Sequence, residues 1–132
     1  MELPRWVGIV LWLAALYNMA WGAVVVAAPL WFFRLAGMDL PNYPQLWQFI
    51  GVMVGIYGIG YAIAARDPVR YWPIVLIGLL GKVLGPVGFL VAALKGDLPW
   101  VAGWTILTND LIWWFPFGLI LYRAYLGRGL RG

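Results

Sequence analysis

Four long apolar stretches, each close to twenty residues and nearly free of charge, dictate what this chain can fold into. They run approximately from Trp6 to Ala28, Leu46 to Ala65, Trp72 to Leu94 and Pro99 to Leu121. A hydrocarbon core of about 30 Å is crossed by about 20 helical residues. In lipid, a spanning segment must satisfy its own backbone hydrogen bonds, which a helix does and an isolated strand does not. The stretches therefore predict an all-α integral membrane protein: a single four-span domain folded as an up-and-down four-helix bundle. Composition agrees, since 64% of the 132 residues are hydrophobic and 11% are charged, too little polar surface to cover a water-soluble domain. Trp or Tyr stands near an end of each stretch, where amphipathic rings favour a membrane interface.

The connections are short. Pro29 ends the first span, and Leu30 to Leu35 reads as a short interfacial helix with its bulky apolar residues turned inward. Met38 to Gln45, with Pro41 and Pro44, reads as a loop. Arg66-Asp67-Pro68 and Lys95-Gly96-Asp97-Leu98 are tight enough to make spans two and three, and three and four, antiparallel neighbours. Arg5, Arg66, Arg70, Arg123, Arg128 and Arg131 gather on one side, against Arg34 and Lys95 on the other. The positive-inside rule then predicts both termini cytoplasmic, in a bacterial inner membrane. The net charge of +4 follows from this asymmetry, and it reads as topology and contact with anionic lipid rather than nucleic-acid binding. The first span is too long for a signal-peptide core and is expected to be retained.

Absences narrow the chemistry. The chain has no Cys, His or Ser, which removes thiol redox chemistry, Ser-His-Asp and Cys-His nucleophiles, histidine-ligated haem and the usual zinc sites. No glycine-rich loop joins a strand to a helix, so phosphate cradles are also excluded. No residue demands a cofactor or a metal, and a bound lipid, quinone or carotenoid would leave no motif.

Within the spans only Lys82 and Asp110 are charged. A charge at the bilayer centre costs roughly 2.5 to 3.5 kcal/mol on insertion scales, so such a residue is a functional-site hypothesis by default. Lys82 lies one residue from the midpoint of span three and Asp110 at the midpoint of span four, which predicts a direct ion pair at one depth. Asn18 in span one reaches the same level, with Asn109 beside the carboxylate and Gln48 nearer the outer surface. Pro86 frees the Lys82 carbonyl from its intrahelical partner and leaves an extra acceptor there. Trp113, Trp114 and Phe117 fall on the Asp110 side of span four as a candidate ligand wall. Gly78, Gly81, Gly85 and Gly88 line one face of span three, and Gly51, Gly55 and Gly58 one face of span two, which together predict a tight helix contact. Each feature also has an architectural reading: a register-fixing pair, close packing, and interfacial Trp anchors.

Three stretches carry a family resemblance: Pro41-Asn42-Tyr43-Pro44-Gln45-Leu46-Trp47-Gln48, Gly60 to Pro68, and Thr108 to Phe117. They resemble small bacterial four-helix membrane proteins commonly labelled alkyl hydroperoxide reductase. The resemblance covers nearly the whole chain and implies the four-span fold and a bacterial membrane. It carries over no catalytic residue, because peroxide reduction in that enzyme class uses reactive cysteines and this chain has none. Three function classes follow. The first is binding or transport of a small or lipid-like molecule through the midplane Lys82/Asp110 site, in a homo-oligomer enclosing the path. The second is a non-catalytic accessory subunit of a larger membrane complex, docking through glycine faces and Trp rings. The third is a lipid or quinone enzyme using Asp110 as acid or base.

Overall fold

A computed structural model describes residues 3–129, and these are helical throughout their ordered elements, with no strand among them. Three helices, α1 (Arg5–Ala27), α3 (Pro44–Arg66) and α4 (Trp72–Leu94), are each long and apolar enough to cross a membrane by length and composition. Pro44 and Pro73 sit in the first turns of α3 and α4, where a missing N–H leaves no helical acceptor unpaired. The short helix α2 (Trp31–Leu35) follows Pro29 as expected, though only Phe32 and Phe33 turn inward while Trp31 and Leu35 are exposed. Gly37 and Gly96 close α2 and α4 with positive φ, a left-handed geometry that glycine adopts without a Cβ penalty. Arg131, one of the arginines counted for the expected orientation, lies outside the described residues.

The fourth apolar stretch departs from a single regular helix. A 3-10 turn (Trp100–Gly103) leads into one turn of α-helix, α5 (Trp104–Ile106), then a π turn (Leu107–Leu111), and finally α6 (Ile112–Gly129), which runs well past Leu121. Pro116 lies inside α6 and lacks the N–H that would bond to the Ile112 carbonyl, and the ladder widens over the residues just before Ile112. The apolar pattern cannot distinguish these helical variants, because all of them keep the chain helical and apolar.

The closest packing joins α1 to α3. A Cβ placed on Gly22 would strike the Gly51 carbonyl, and one on Gly51 would lie 2.8 Å from Val25 Cβ and 3.0 Å from the Gly22 carbonyl. Further along, a Cβ on Gly58 would lie 2.8 Å from the Ala15 carbonyl, and one on Gly8 3.6 Å from that of Ala65. Partner numbers fall along α3 as they rise along α1, so the two helices run antiparallel with backbones in contact. This corrects the expected pairing of glycine faces. Gly51 and Gly58 serve α1, through Gly22 and Ala15 respectively, rather than the glycines of α4. On α4, Gly78 receives the Tyr61 ring from α3 and Gly85 faces Asp110, whereas Gly81 and Gly88 have no atoms within 4 Å of an added Cβ. Gly55 likewise has open space at its own Cβ position, although its backbone lies against Gly22.

The core is a ladder of small and branched residues, Val7, Leu11, Ala14, Ala15, Ala64 and Val75, closed by Tyr61, Trp113, Phe117 and Ile120. The buried residues of α6, Trp113, Phe117, Ile120, Ala124 and Gly127, recur at helical spacing and form one stripe. On the outside, the exposed Ile9, Leu13, Leu16, Phe49, Ile56, Ile77, Leu84 and Phe115 give the molecule an apolar exterior.

Candidate functional site

Lys82 is buried at 5% exposure in the middle of α4. Its ammonium donates a 2.6 Å hydrogen bond to the Asn109 main-chain carbonyl in the π turn. Three rings surround the same nitrogen, with centroids at 5.8 Å (Tyr61), 5.8 Å (Trp113) and 5.7 Å (Phe117). Each ring face offers negative quadrupole to a cation, worth about 0.5 to 2 kcal/mol per contact depending on desolvation. In return, the Trp114 indole donates to the Lys82 carbonyl at 2.7 Å, filling the acceptor that Pro86 leaves free. The Trp113 indole donates to the Thr108 carbonyl at 3.0 Å. Two interrupted helices thus satisfy each other: the main chain of the π turn takes the lysine, and the main chain of the lysine takes an indole.

The expected Lys82–Asp110 ion pair does not form. The ammonium is bound to the Asn109 carbonyl instead, and the π turn directs the Asp110 carboxylate toward Gly85, whose added Cβ would lie 3.4 Å from Oδ2. The two charges remain close enough to feel each other electrostatically. Asn109 contributes its main chain to the lysine, while its side-chain oxygen is buried without a hydrogen-bond partner. Asn18, also buried at 5% exposure, does not join this group. Its amide donates to the Val54 carbonyl at 3.3 Å within the α1–α3 contact. Gln48 donates to the Val26 carbonyl at 2.8 Å, near the α2 end of the molecule. Trp113 and Phe117 are core and cage rather than a ligand wall, with Tyr61 edge-on to Phe117 at 5.1 Å.

The space for a ligand lies on the other side of Trp113. Tyr17 packs against that ring at 6.2 Å and donates a 2.8 Å hydrogen bond to Thr108 Oγ1. Together they line the inner end of a groove of about 410 Å³ between α1, α2, the start of α3 and the α5–π segment. Trp21, Trp31, Phe32, Trp47 and Trp104 form its aromatic walls, and Ala20, Val24 and Ala28 line the α1 side. From Ala28 to Tyr17 the groove follows about 16 Å of helix at 1.5 Å per residue. The volume falls in the range of ligand clefts, roughly 300 to 1,000 Å³, which are mostly apolar with a few convergent polar groups. Thr108 is one residue from Asn109 and two from Asp110, so the polar end of the groove and the Lys82 cage share one wall.

The chain matches no protein-family model, no curated protein sequence and no solved structure. No group of three or more metal-ligating side chains occurs among the described residues.

Sequence reasoning located the midplane level but missed the groove and its residues. Tyr17 and Thr108 were legible as polar residues at the right depth. Trp21, Trp31 and Trp47 carried no signal beyond that of interfacial anchors, because their convergence depends on how α2 folds back over α1 and α3.

Proposed function

We propose that this chain is a multi-pass membrane protein that binds a lipid-like apolar molecule in the α1–α2–α5 groove, with its inner end beside the Lys82/Asp110 site. The observation that carries this reading is the groove itself. Apart from Tyr17, Thr105 and Thr108 its lining is aromatic and apolar, and Tyr17 and Thr108 meet at its inner end. An apolar ligand stacks on the indoles along the groove, while the Tyr17 and Thr108 hydroxyls satisfy each other and the Trp104 carbonyl at its inner end. The length and apolarity of α1, α3 and α4 and the apolar exterior support membrane insertion. The fourth crossing runs through the π turn to α6, because irregular backbone is tolerated at membrane depth where protein side chains satisfy it, as Lys82 and Trp113 do here. Both termini lie on the cytoplasmic side, by the arginine asymmetry. Lys82 holds the α4–π contact together. Asp110 takes no hydrogen bond from the cage and faces Gly85, behind the groove wall that Thr108 forms.

A diazirine-bearing fatty acid, activated by light in proteoliposomes, tests this reading. Adducts concentrated on Trp21, Val24, Trp31 and Trp104 are expected. Adducts spread evenly over exposed residues such as Ile9, Phe49 and Leu84 would mean that the groove holds nothing in particular.

An accessory-subunit reading draws on one separate observation, the exposed face of α4. Gly81 and Gly88 have open space there beside the exposed Leu80, Leu84 and Val87, which would let another helix approach closely.

A further inference from the structure

A second cavity, of about 320 Å³, lies on the far side of α2, between it and α4, and reaches Gly88, Phe89 and Ile106. The side chains common to both cavities are Phe32, Trp47 and Thr105, so these three form a thin wall between two separate apolar spaces. Within that wall the Trp47 indole nitrogen is buried and has no hydrogen-bond partner. Its neighbours are rings: Phe32 stacked at 5.4 Å, with Phe33 and Trp21 edge-on at 5.4 and 5.6 Å. None of these offers an oxygen acceptor, and a buried unpaired donor is costly. Trp47 is the fourth residue of α3, and Thr105 follows the 3-10 turn, so the wall stands at the α2 end of the molecule while both cavities extend inward from it.

We propose that the two cavities hold the two hydrocarbon chains of one two-chain lipid astride the Phe32–Trp47–Thr105 wall, its ester linkage accepting the Trp47 N–H. This rests on the lipid-binding reading above and narrows it to a ligand class. One chain runs along α1 toward Tyr17 and the other along α4 toward Gly88. The linkage between them sits at the depth where Trp and Tyr side chains meet the interface. A single-chain amphiphile would fill one cavity and leave the other, and the indole would gain its acceptor without any reason for the second space.

The test uses full-length protein in mixed micelles containing equal amounts of dioleoyl phosphatidylglycerol and its lyso form, with bound lipid extracted and counted after gel filtration. Wild type is expected to retain the two-chain probe over the lyso probe by about tenfold or more. Gly88→Leu adds a side chain at a position where a Cβ meets nothing and which lines the second cavity. It is expected to remove that preference while lyso retention stays within about twofold. Trp47→Phe keeps the ring and removes the donor, with retention of the two-chain probe falling about two- to tenfold, the range for one net hydrogen bond. This variant carries the test if Gly88→Leu does not fold. Equal retention of both probes by wild type, or an unchanged preference in both variants, overturns the two-chain proposal and leaves the groove reading standing. Retention of neither probe by wild type overturns both.

Discussion

Lys82 is held by a hydrogen bond to the Asn109 carbonyl in which Asp110 takes no part, and single substitutions separate their roles. Removing the ammonium leaves the Asn109 carbonyl buried without its donor, a loss of about 1 to 3 kcal/mol. Lys82→Met is therefore expected to lower the unfolding free energy by that amount in a denaturant titration in detergent. Asp110→Asn is expected to change it by less than about 1 kcal/mol, because no hydrogen bond from the cage ends on that carboxylate. Equal losses for the two variants would restore the direct ion pair. The depth of these charges was legible in the sequence, since counting residues along two apolar stretches gives their level. Their pairing was not. It turns on a single π turn, which moves Asn109 rather than Asp110 toward the lysine, and the cause is a ladder defect ahead of Pro116 that leaves the apolar pattern unchanged.

At the scale of elements, two helix interruptions are coupled through side chains. Pro86→Ala returns an N–H to the Lys82 carbonyl, which then no longer depends on Trp114. Trp114→Phe should cost about 1 kcal/mol in the wild-type background and close to nothing in the Pro86→Ala background. A double-mutant cycle of thermal or denaturant unfolding measures that difference, and additive losses would mean that the indole acts by packing alone. The α1–α3 contact makes a second claim. Gly22→Ala puts a methyl onto the Gly51 carbonyl and is expected to destabilise by about 1 to 3 kcal/mol, the usual cost of overpacking, whereas Gly81→Ala should be close to neutral. The glycine spacing on α3 and α4 was readable as close packing, but not with which partner. Gly8 and Gly22 of α1 stand too far apart to read as a small-residue motif, so their role emerges only when α1 and α3 are laid antiparallel. Element boundaries were legible wherever proline and glycine punctuate the chain, and α4 begins and ends where the sequence placed it.

At the scale of the whole molecule, the apolar exterior and the three long apolar helices account for the composition, and the aromatic groove accounts for much of the tryptophan. Much of the fold was legible because hydrophobic length and short connections leave few arrangements. The groove was not, because α2 is five residues long and its placement over Trp47 depends on ring contacts between distant segments. The central claim is that this groove holds a lipid-like molecule. Its most direct test is native mass spectrometry of the protein extracted from its own membrane in mild detergent, with released small molecules identified, for wild type and for Ala20→Trp, which fills the groove from α1. The account predicts one stoichiometric lipid-like molecule on wild type and its loss from the filled variant with the protein still folded. A wild-type protein that carries reproducible unrelated subunits and no small molecule would contradict it, and would make the chain an accessory subunit docked through α4.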